Sequence, residues 1–220
     1  MADASAKSSP PLLEPMERIS EILFGIVMAL TFTLTLGIAT ADAPKVRTML
    51  IAALGCNLAW GIIDGGVYLL TRLHDHGRKM RIMRAMRAAP DVAAAQRVLA
   101  EALPPSVVPV LSSEQADAMR RHVRQLAEPR EHPVLTARDW RGAVEMCLLS
   151  FLSTFPIVIP FMLISDARVA LRASNAVAIA MLFVCGYAFG QRAGMRPWVS
   201  GLAVVAVGAA FVGVAVALGG

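Results

Sequence analysis

Long apolar blocks constrain this chain more than any other feature of its sequence. About 20 helical residues cross the hydrocarbon layer of a bilayer, and a helix satisfies its own backbone polar groups there. The blocks are too long for the strands of a membrane barrel. We therefore predict an all-α membrane protein with five transmembrane helices. The predicted spans cover residues 19–39, 46–70, 140–164, 173–190 and 198–218.

Composition narrows the possible partners. With 56% hydrophobic and 17% charged residues and a mean hydropathy of +0.59, the chain has too little polar surface for a soluble protein of 220 residues. The net charge of +5 does not point to nucleic acid, because most basic residues flank the predicted spans and no nucleic-acid-binding motif is present. We expect the lipid bilayer as a partner, and no nucleic acid.

The sequence contains no motif typical of an enzyme. There is no Ser-His-Asp set, no phosphate-binding loop and no zinc-protease helix. Cys56, Cys147 and Cys185 fall inside apolar blocks, where a free cysteine packs as a small hydrophobic residue. We expect a protein that is not an enzyme and has no tightly bound cofactor.

The division of the chain follows the apolar blocks. Residues 1–17 are polar and rich in proline, so we expect a disordered tail. Residues 18–71 hold the first two helices, residues 72–140 a small helical cytoplasmic insertion, and residues 141–220 the last three helices. A cleaved signal peptide is the alternative to the first span, but the apolar run is longer than such a peptide needs.

Prolines and capping residues predict where the helices of the insertion begin and end. Pro90 cannot continue the basic helix before it, so we expect a break between Ala89 and Pro90. The same proline is tolerated in the first turn of the next helix. Ser112 and Gln115 form a capping-box pattern, which predicts a helix that starts near Ser113.

Proline and glycine also mark the membrane helices. Pro156 and Pro160 lie inside the third span, where each removes a backbone hydrogen bond and predicts a kink or break. Gly201, Gly208 and Gly213 lie in the fifth span, where small residues permit close helix packing.

Orientation follows from lysine and arginine near the span ends, because cytoplasmic loops are enriched in these residues. The arginines after the second span, with Arg138 and Arg141, place the insertion in the cytoplasm. Five spans then put the N-terminus in the cytoplasm and the C-terminus outside, in a multi-pass protein of the cell inner membrane. The basic residues that this topology leaves outside are Lys45, Arg47, Arg168 and Arg172.

Asp64 is the strongest candidate for a functional residue. An ionisable side chain in an apolar span costs about 2.5–3.5 kcal/mol on insertion scales, so each one is a candidate. Asn57 lies about two helical turns before Asp64, on the same face. Carboxylate and amide oxygens suit a divalent cation, and the acid could also carry a counter-proton. The alternative is an interhelical hydrogen bond or a pair with an arginine.

Two further acids lie near the cytoplasmic ends of spans. Glu21 precedes Met28 by two turns, and the Met28 thioether would favour a softer metal. Glu145 could complete a site with Glu21. The alternatives are a headgroup-level charge for Glu21 and an ion pair with Arg141 for Glu145. The predicted transport pathway is lined by Glu21, Met28, Asn57, Asp64 and Glu145, and the predicted metal ligands are Glu21, Asp64 and Glu145.

The insertion contains histidines and methionines that could bind a metal, but their pattern favours structural roles. His74 and His76 do not share a helical face, so we expect them to be solvated. Met80, Met83 and Met86 alternate with arginines along a basic amphipathic helix, which is typical of contact with lipid or a partner helix.

Four segments of the membrane helices form a recognisable pattern. They are ILFGIVMALT at 22–31, GIIDGGVYLLTR at 61–72, FLSTFPIVIPFML at 151–163 and VCGYAFGQRAGMRPWVSGL at 184–202. Their order and spacing, with the position of the insertion, cover roughly two-thirds of the chain and resemble the vacuolar iron transporter family. The resemblance implies five membrane helices, a homodimer, and proton-coupled export of Fe²⁺ or Mn²⁺ from the cytoplasm.

The chain departs from this family at its metal ligands. The family places an acidic ligand three residues after a glycine of the first helix, and Met28 occupies that position after Gly25. In the second helix the family has a methionine and then a glutamate before a tyrosine, and these positions are Ile63 and Val67 before Tyr68. The insertion also lacks the regular glutamate face of the family, so the chain resembles a divergent bacterial-type member.

The two functions that fit these features are a transporter and a scaffold. The first is a transporter of divalent metal, Fe²⁺ or Mn²⁺, that is dimeric and exports the ion from the cytoplasm. The second is a membrane protein of the same fold that does not transport and acts as a scaffold or regulator through its basic insertion.

Overall fold

A computed structural model describes residues 12–39, 43–104, 106–128 and 130–218. Within these ranges the chain is all-helical and contains no strand. The helices are α1 (Pro15–Ala39), α2 (Ala43–Ala88), α3 (Val92–Ala102), a short 3-10 helix (Val108–Val110), α4 (Ser113–Gln125), α5 (Ala137–Leu152), α6 (Phe155–Leu163), α7 (Ala167–Arg192) and α8 (Pro197–Ala217).

The chain divides into two compact units. The first comprises Met1–Tyr68 and Arg138–Gly220, and the second comprises Leu69–Ala137. The tail predicted over 1–17 lies outside the described residues as far as residue 11. Helix α1 begins at Pro15, a residue type that the first turn of a helix tolerates.

Four helical stretches in the described residues are long and apolar enough to cross a membrane. They are Leu50–Ala88, Ala137–Leu163, Ala167–Arg192 and Pro197–Ala215. These helices identify a multi-pass membrane protein. Helix α1 is a further apolar helix of 25 residues, which carries charged side chains in its first two turns and is not one of the four.

The predicted break in the third span is confirmed, because α5 ends at Leu152 and α6 begins at Phe155. Pro156 has no N–H, so the carbonyl of Leu152 loses its usual helical donor. The hydroxyl of Ser174 on α7 donates to the carbonyl of Ile157 at 2.7 Å, which links the helix after the break to its neighbour.

The core of the membrane unit joins four of its helices. Ile26, Ile157, Leu182 and Val212 come from α1, α6, α7 and α8 and are almost fully buried against one another. Close helix packing through Gly201 and Gly208 is confirmed, because a Cβ at either position would meet Phe183 or Leu182 on α7 within 3 Å. A Cβ at Gly213 would meet no atom of the described residues within 4 Å.

The start of α7 is fixed by Asp166. Its carboxylate accepts the backbone N–H groups of Val169 at 3.0 Å and Arg168 at 2.8 Å. Hydrogen bonds to the charged form lower the pKa of Asp166, and the bond from Val169 contributes most. Asp166 is therefore an ionised helix cap at neutral pH.

The second unit packs α3 and α4 against the last turns of α2. The predicted capping box is confirmed, since Ser112 accepts the Gln115 backbone N–H at 3.2 Å and the Gln115 side chain accepts the Ser112 N–H at 3.0 Å. The break predicted at Pro90 is also confirmed. Asp91 caps α3, so Pro90 lies before the cap and not in the first turn as we predicted.

Two arginines of the second unit each bind the C-terminal end of the neighbouring helix. Arg87 of α2 donates to the carbonyl of Leu126 at the end of α4 at 2.6 Å. Arg124 of α4 donates to the carbonyl of Ala89 at the end of α2 at 2.6 Å. The last carbonyls of a helix lack intrahelical partners and carry partial negative charge, so these bonds stabilise both helix ends. Part of the basic character that we attributed to lipid contact therefore serves folding.

The three methionines of the basic helix differ in burial. Met86 is 2% exposed and packs with Ala95, Leu99 and Ala116 in the core of the second unit. Met80 and Met83 are half-buried. The contact with a partner helix that we predicted is thus confirmed for Met86, and the partners are helices α3 and α4.

Glycines bring α2 against α5. A Cβ at Gly61 would lie 2.8 Å from the carbonyl oxygen of Cys147, and one at Gly65 would lie 2.9 Å from that of Ala143. Contacts this short between a Cβ and backbone do not occur, so both positions require glycine. Gly66, the next residue, faces open space.

This difference predicts opposite effects of two neighbouring substitutions. Gly66→Ala should be neutral or stabilise the protein by up to about 1 kcal/mol, because alanine has the higher helix propensity. Gly65→Ala should destabilise it by about 1–3 kcal/mol, because α2 must move away from α5. Thermal unfolding of the purified variants in detergent measures both effects, and equal melting temperatures would contradict the packing described.

Candidate metal site

A pair of carboxyl groups joins α1 to α2 inside the membrane unit. Glu21 is 6% exposed, and its carboxyl group lies within hydrogen-bonding reach of that of Asp64. Two carboxylates cannot donate to each other, so a hydrogen bond between these groups needs one proton. Glu21 Oε2 is buried and has no hydrogen-bond partner among the described residues. The pair therefore has room for one shared proton and retains an unused acceptor.

The positions of Glu21 on α1 and Asp64 on α2 explain why the two side chains meet. Positions 18, 21 and 25 of α1 recur at the three- and four-residue spacing of one helical face. From that face Arg18 reaches α5, and the carbonyl of Gly25 reaches α2. Asp64 lies between Gly61 and Gly65, the two glycines that bring α2 against α5.

Glu145 is paired with an arginine that the sequence analysis did not consider. Its carboxylate lies 2.6 Å from the Arg18 guanidinium, and the two side chains are 23% and 44% exposed. Arg141, the predicted alternative partner, lies on the same helix as Glu145, whereas Arg18 comes from α1. Glu145 therefore has a neighbour of opposite charge, and this arginine lies one helical turn before Glu21 on α1.

Asn57 holds three helices together. Its side-chain amide donates to the carbonyl of Gly25 on α1 at 3.2 Å and also to the hydroxyl of Thr154 at the α5–α6 break. Asn57 therefore forms interhelical hydrogen bonds with α1 and with the α5–α6 break. Asn57 Oδ1 is buried without a partner in the described part of the chain.

Helical geometry separates the residues that we grouped by face. Seven residues of helix span about 10 Å, so Asn57 and Asp64 cannot contact one ion together. The same distance separates Glu21 from Met28, which is half-buried on α1. Of the five predicted pathway residues, the structure brings together Glu21 and Asp64.

No group of three or more histidine, cysteine, aspartate or glutamate side chains that could hold a metal occurs in the residues described. A divalent ion at Glu21 and Asp64 would therefore complete its shell with water, backbone carbonyls or neutral side chains. In the second unit, His76 Nδ1 lies 3.0 Å from the carbonyl oxygen of Val134, which gives this histidine a structural contact.

Sequence reasoning missed several polar residues of this region. Arg18 could have been identified from its position one helical turn before Glu21. A cluster of three hydroxyl residues within five positions of an otherwise apolar span could have identified Ser150, Ser153 and Thr154. All three hydroxyl residues are at least nine-tenths buried, around the break between α5 and α6.

Apolar helices of spanning length around a buried polar interface define a multi-pass helical membrane protein. A family model described as the VIT family matches residues 19–220. The chain therefore belongs to the VIT family, the vacuolar iron transporter family, whose members are metal-ion transporters and not enzymes. No curated protein matches the chain.

Proposed function

We propose that this protein transports Fe²⁺ or Mn²⁺ across the membrane, in exchange for protons and out of the cytoplasm. The observation that carries the proposal is the closely spaced pair of Glu21 and Asp64, two acids from different helices in an apolar bundle. Membership of a family of metal-ion transporters supports the substrate class.

The carboxyl pair couples the two ions chemically. Divalent cations bind deprotonated carboxylates, so a metal ion that enters between Glu21 and Asp64 displaces the proton that they share. When the ion leaves, a proton restores the hydrogen bond. With the shared proton the pair carries one negative charge, and with a divalent cation in place of the proton it carries none. Neither state leaves two uncompensated carboxylates in the apolar bundle, which is the physical reason for an exchange.

Glu145 and Arg18 form the mouth of this site in our proposal. The Arg18–Glu145 pair and the Glu21–Asp64 pair share α1, with Arg18 and Glu21 one turn apart. With Arg18 neutralised by Glu145, its charge repels an incoming cation less. Met28, further along α1, lies on the path beyond the carboxyl pair.

The proposal includes five spans, with α1 as the first, in the cell inner membrane. The arginine-rich unit Leu69–Ala137 is then cytoplasmic and the C-terminus external, as the distribution of lysine and arginine favours. A homodimer is also part of the proposal. The resemblance to the family implies the homodimer. The exposed apolar side chains of the membrane helices, among them Ile51, Leu58 and Ile62 on α2, fit a second copy or lipid.

Cysteine labelling tests this topology. We expect Leu218→Cys, on the exposed last turn, to react with a membrane-impermeant maleimide on intact spheroplasts. Met119→Cys, on the exposed face of α4, should react only after permeabilisation. Both variants are made with the three native cysteines replaced by alanine. Labelling of Met119→Cys in intact spheroplasts would contradict the orientation.

A scaffold without transport activity is the second candidate function. The presence of Met28, Ile63 and Val67 at three ligand positions of the resembled family favours it. Such a protein would use the second unit to bind a partner, and its activity would not depend on Asp64.

Replacement of Asp64 separates the two functions. Asp64→Asn cannot hold the shared proton or the metal charge, so we expect at least a 10-fold loss of Mn²⁺ or Fe²⁺ export, read as cellular metal content and metal tolerance. Asp166→Asn is the matched control, because asparagine also caps helices and Asp166 lies outside the spanning helices. Equal metal content in cells with Asp64→Asn, in cells with Asp166→Asn and in cells without the protein would favour the scaffold.

A further inference from the structure

Four polar residues surround Gly25 in the interior of the membrane unit. We call Asn57, Ser150, Ser153 and Thr154 the Gly25 cluster. The carbonyl of Gly25 accepts the Asn57 amide, and a Cβ at Gly25 would overlap the Ser153 hydroxyl and lie 2.6 Å from the Ser150 carbonyl oxygen. Glycine at this position therefore lets polar atoms of three helices meet.

Two oxygen atoms of the Gly25 cluster are buried and unused. Asn57 and Ser150 are each 1% exposed, and neither Asn57 Oδ1 nor Ser150 Oγ has a hydrogen-bond partner in the ranges described. A buried polar group without a partner destabilises a protein, so two of them together beside a helix break require an explanation.

The break between α5 and α6 adds freed carbonyl oxygens. The backbone N–H of Thr154 donates to Phe151 at 3.2 Å, so the carbonyl of Ser150 loses its regular helical donor and accepts the Ser153 hydroxyl at 2.7 Å. Pro156 removes the donor for the carbonyl of Leu152. Interrupted helices in membranes supply backbone oxygens to bound cations in this way.

We propose that the Gly25 cluster is a second cation-binding position, which receives a partly dehydrated divalent ion from the Glu21–Asp64 pair. This inference rests on the proposed function. Gly25 lies four residues after Glu21 on the same face of α1, a distance of about 6 Å along the helix. The ligands are neutral oxygens of amide, hydroxyl and carbonyl type, which hard cations accept.

The absence of charge from the Gly25 cluster suits a transit position. A path conducts only when each site binds strongly enough to admit the ion and weakly enough to release it. The carboxyl pair attracts the ion, and the neutral cluster offers coordination that is easier to leave. Ser150 is the residue to test, because its hydroxyl makes no bond to the described residues that a substitution would break.

Two substitutions at position 150 test the proposal in proteoliposomes. Ser150→Ala removes one ligand, and we expect Mn²⁺ transport to fall about 10-fold, the effect of about 1.4 kcal/mol. Ser150→Cys replaces oxygen with sulfur, which soft metals prefer, so we expect the ratio of Cd²⁺ to Mn²⁺ transport to rise by about 10-fold. A purely structural role of Ser150 would not change this ratio.

Ser200→Ala and Ser200→Cys are the matched controls. Ser200 on α8 is also buried with an unpartnered hydroxyl, but it packs against Gly190 of α7. Wild-type rates and an unchanged Cd²⁺ to Mn²⁺ ratio in both Ser150 variants would overturn the second position, as would an equal response of the Ser200 variants. Wild-type proteoliposomes that move no Mn²⁺ or Fe²⁺ would overturn the proposed function itself and this inference with it.

Discussion

The close approach of the Glu21 and Asp64 carboxyl groups is the contact on which the proposed exchange of ions depends. It joins the side chains of α1 and α2 inside an apolar bundle, where an isolated carboxylate would be costly. A shared proton leaves one negative charge on the two groups, and a bound divalent cation compensates both when the proton has left. The same two side chains can therefore hold helices together and exchange one cation for another.

Close helix packing makes this contact possible. Gly61 and Gly65 bring α2 onto the backbone of α5, and Gly25 brings α1 onto the α5–α6 break. At these separations short polar side chains such as Asn57 and Thr154 reach across helix interfaces. Small residues in the membrane helices thus determine which polar groups meet, although they carry no chemistry themselves.

Residues that are close in sequence predicted much of the fold, but they did not predict which side chains pair between helices. The break at Pro156 and the capping box at Ser112 were predictable, because each depends on residues close in sequence. The partner of Glu145 was not, since the choice between Arg18 and Arg141 depends on how α1 lies against α5. The sequence placed Asp64 and Asn57 on one face, yet each binds a different part of α1.

Proton release on metal binding tests the central claim most directly. The purified protein is titrated with Mn²⁺ by calorimetry in two buffers that differ in ionisation enthalpy. If Glu21 and Asp64 share a proton that the metal displaces, the wild type should release about one proton per bound ion, and Asp64→Asn should release none. Mn²⁺ binding without proton release in the wild type, or identical release by Asp64→Asn, would contradict the exchange at this pair.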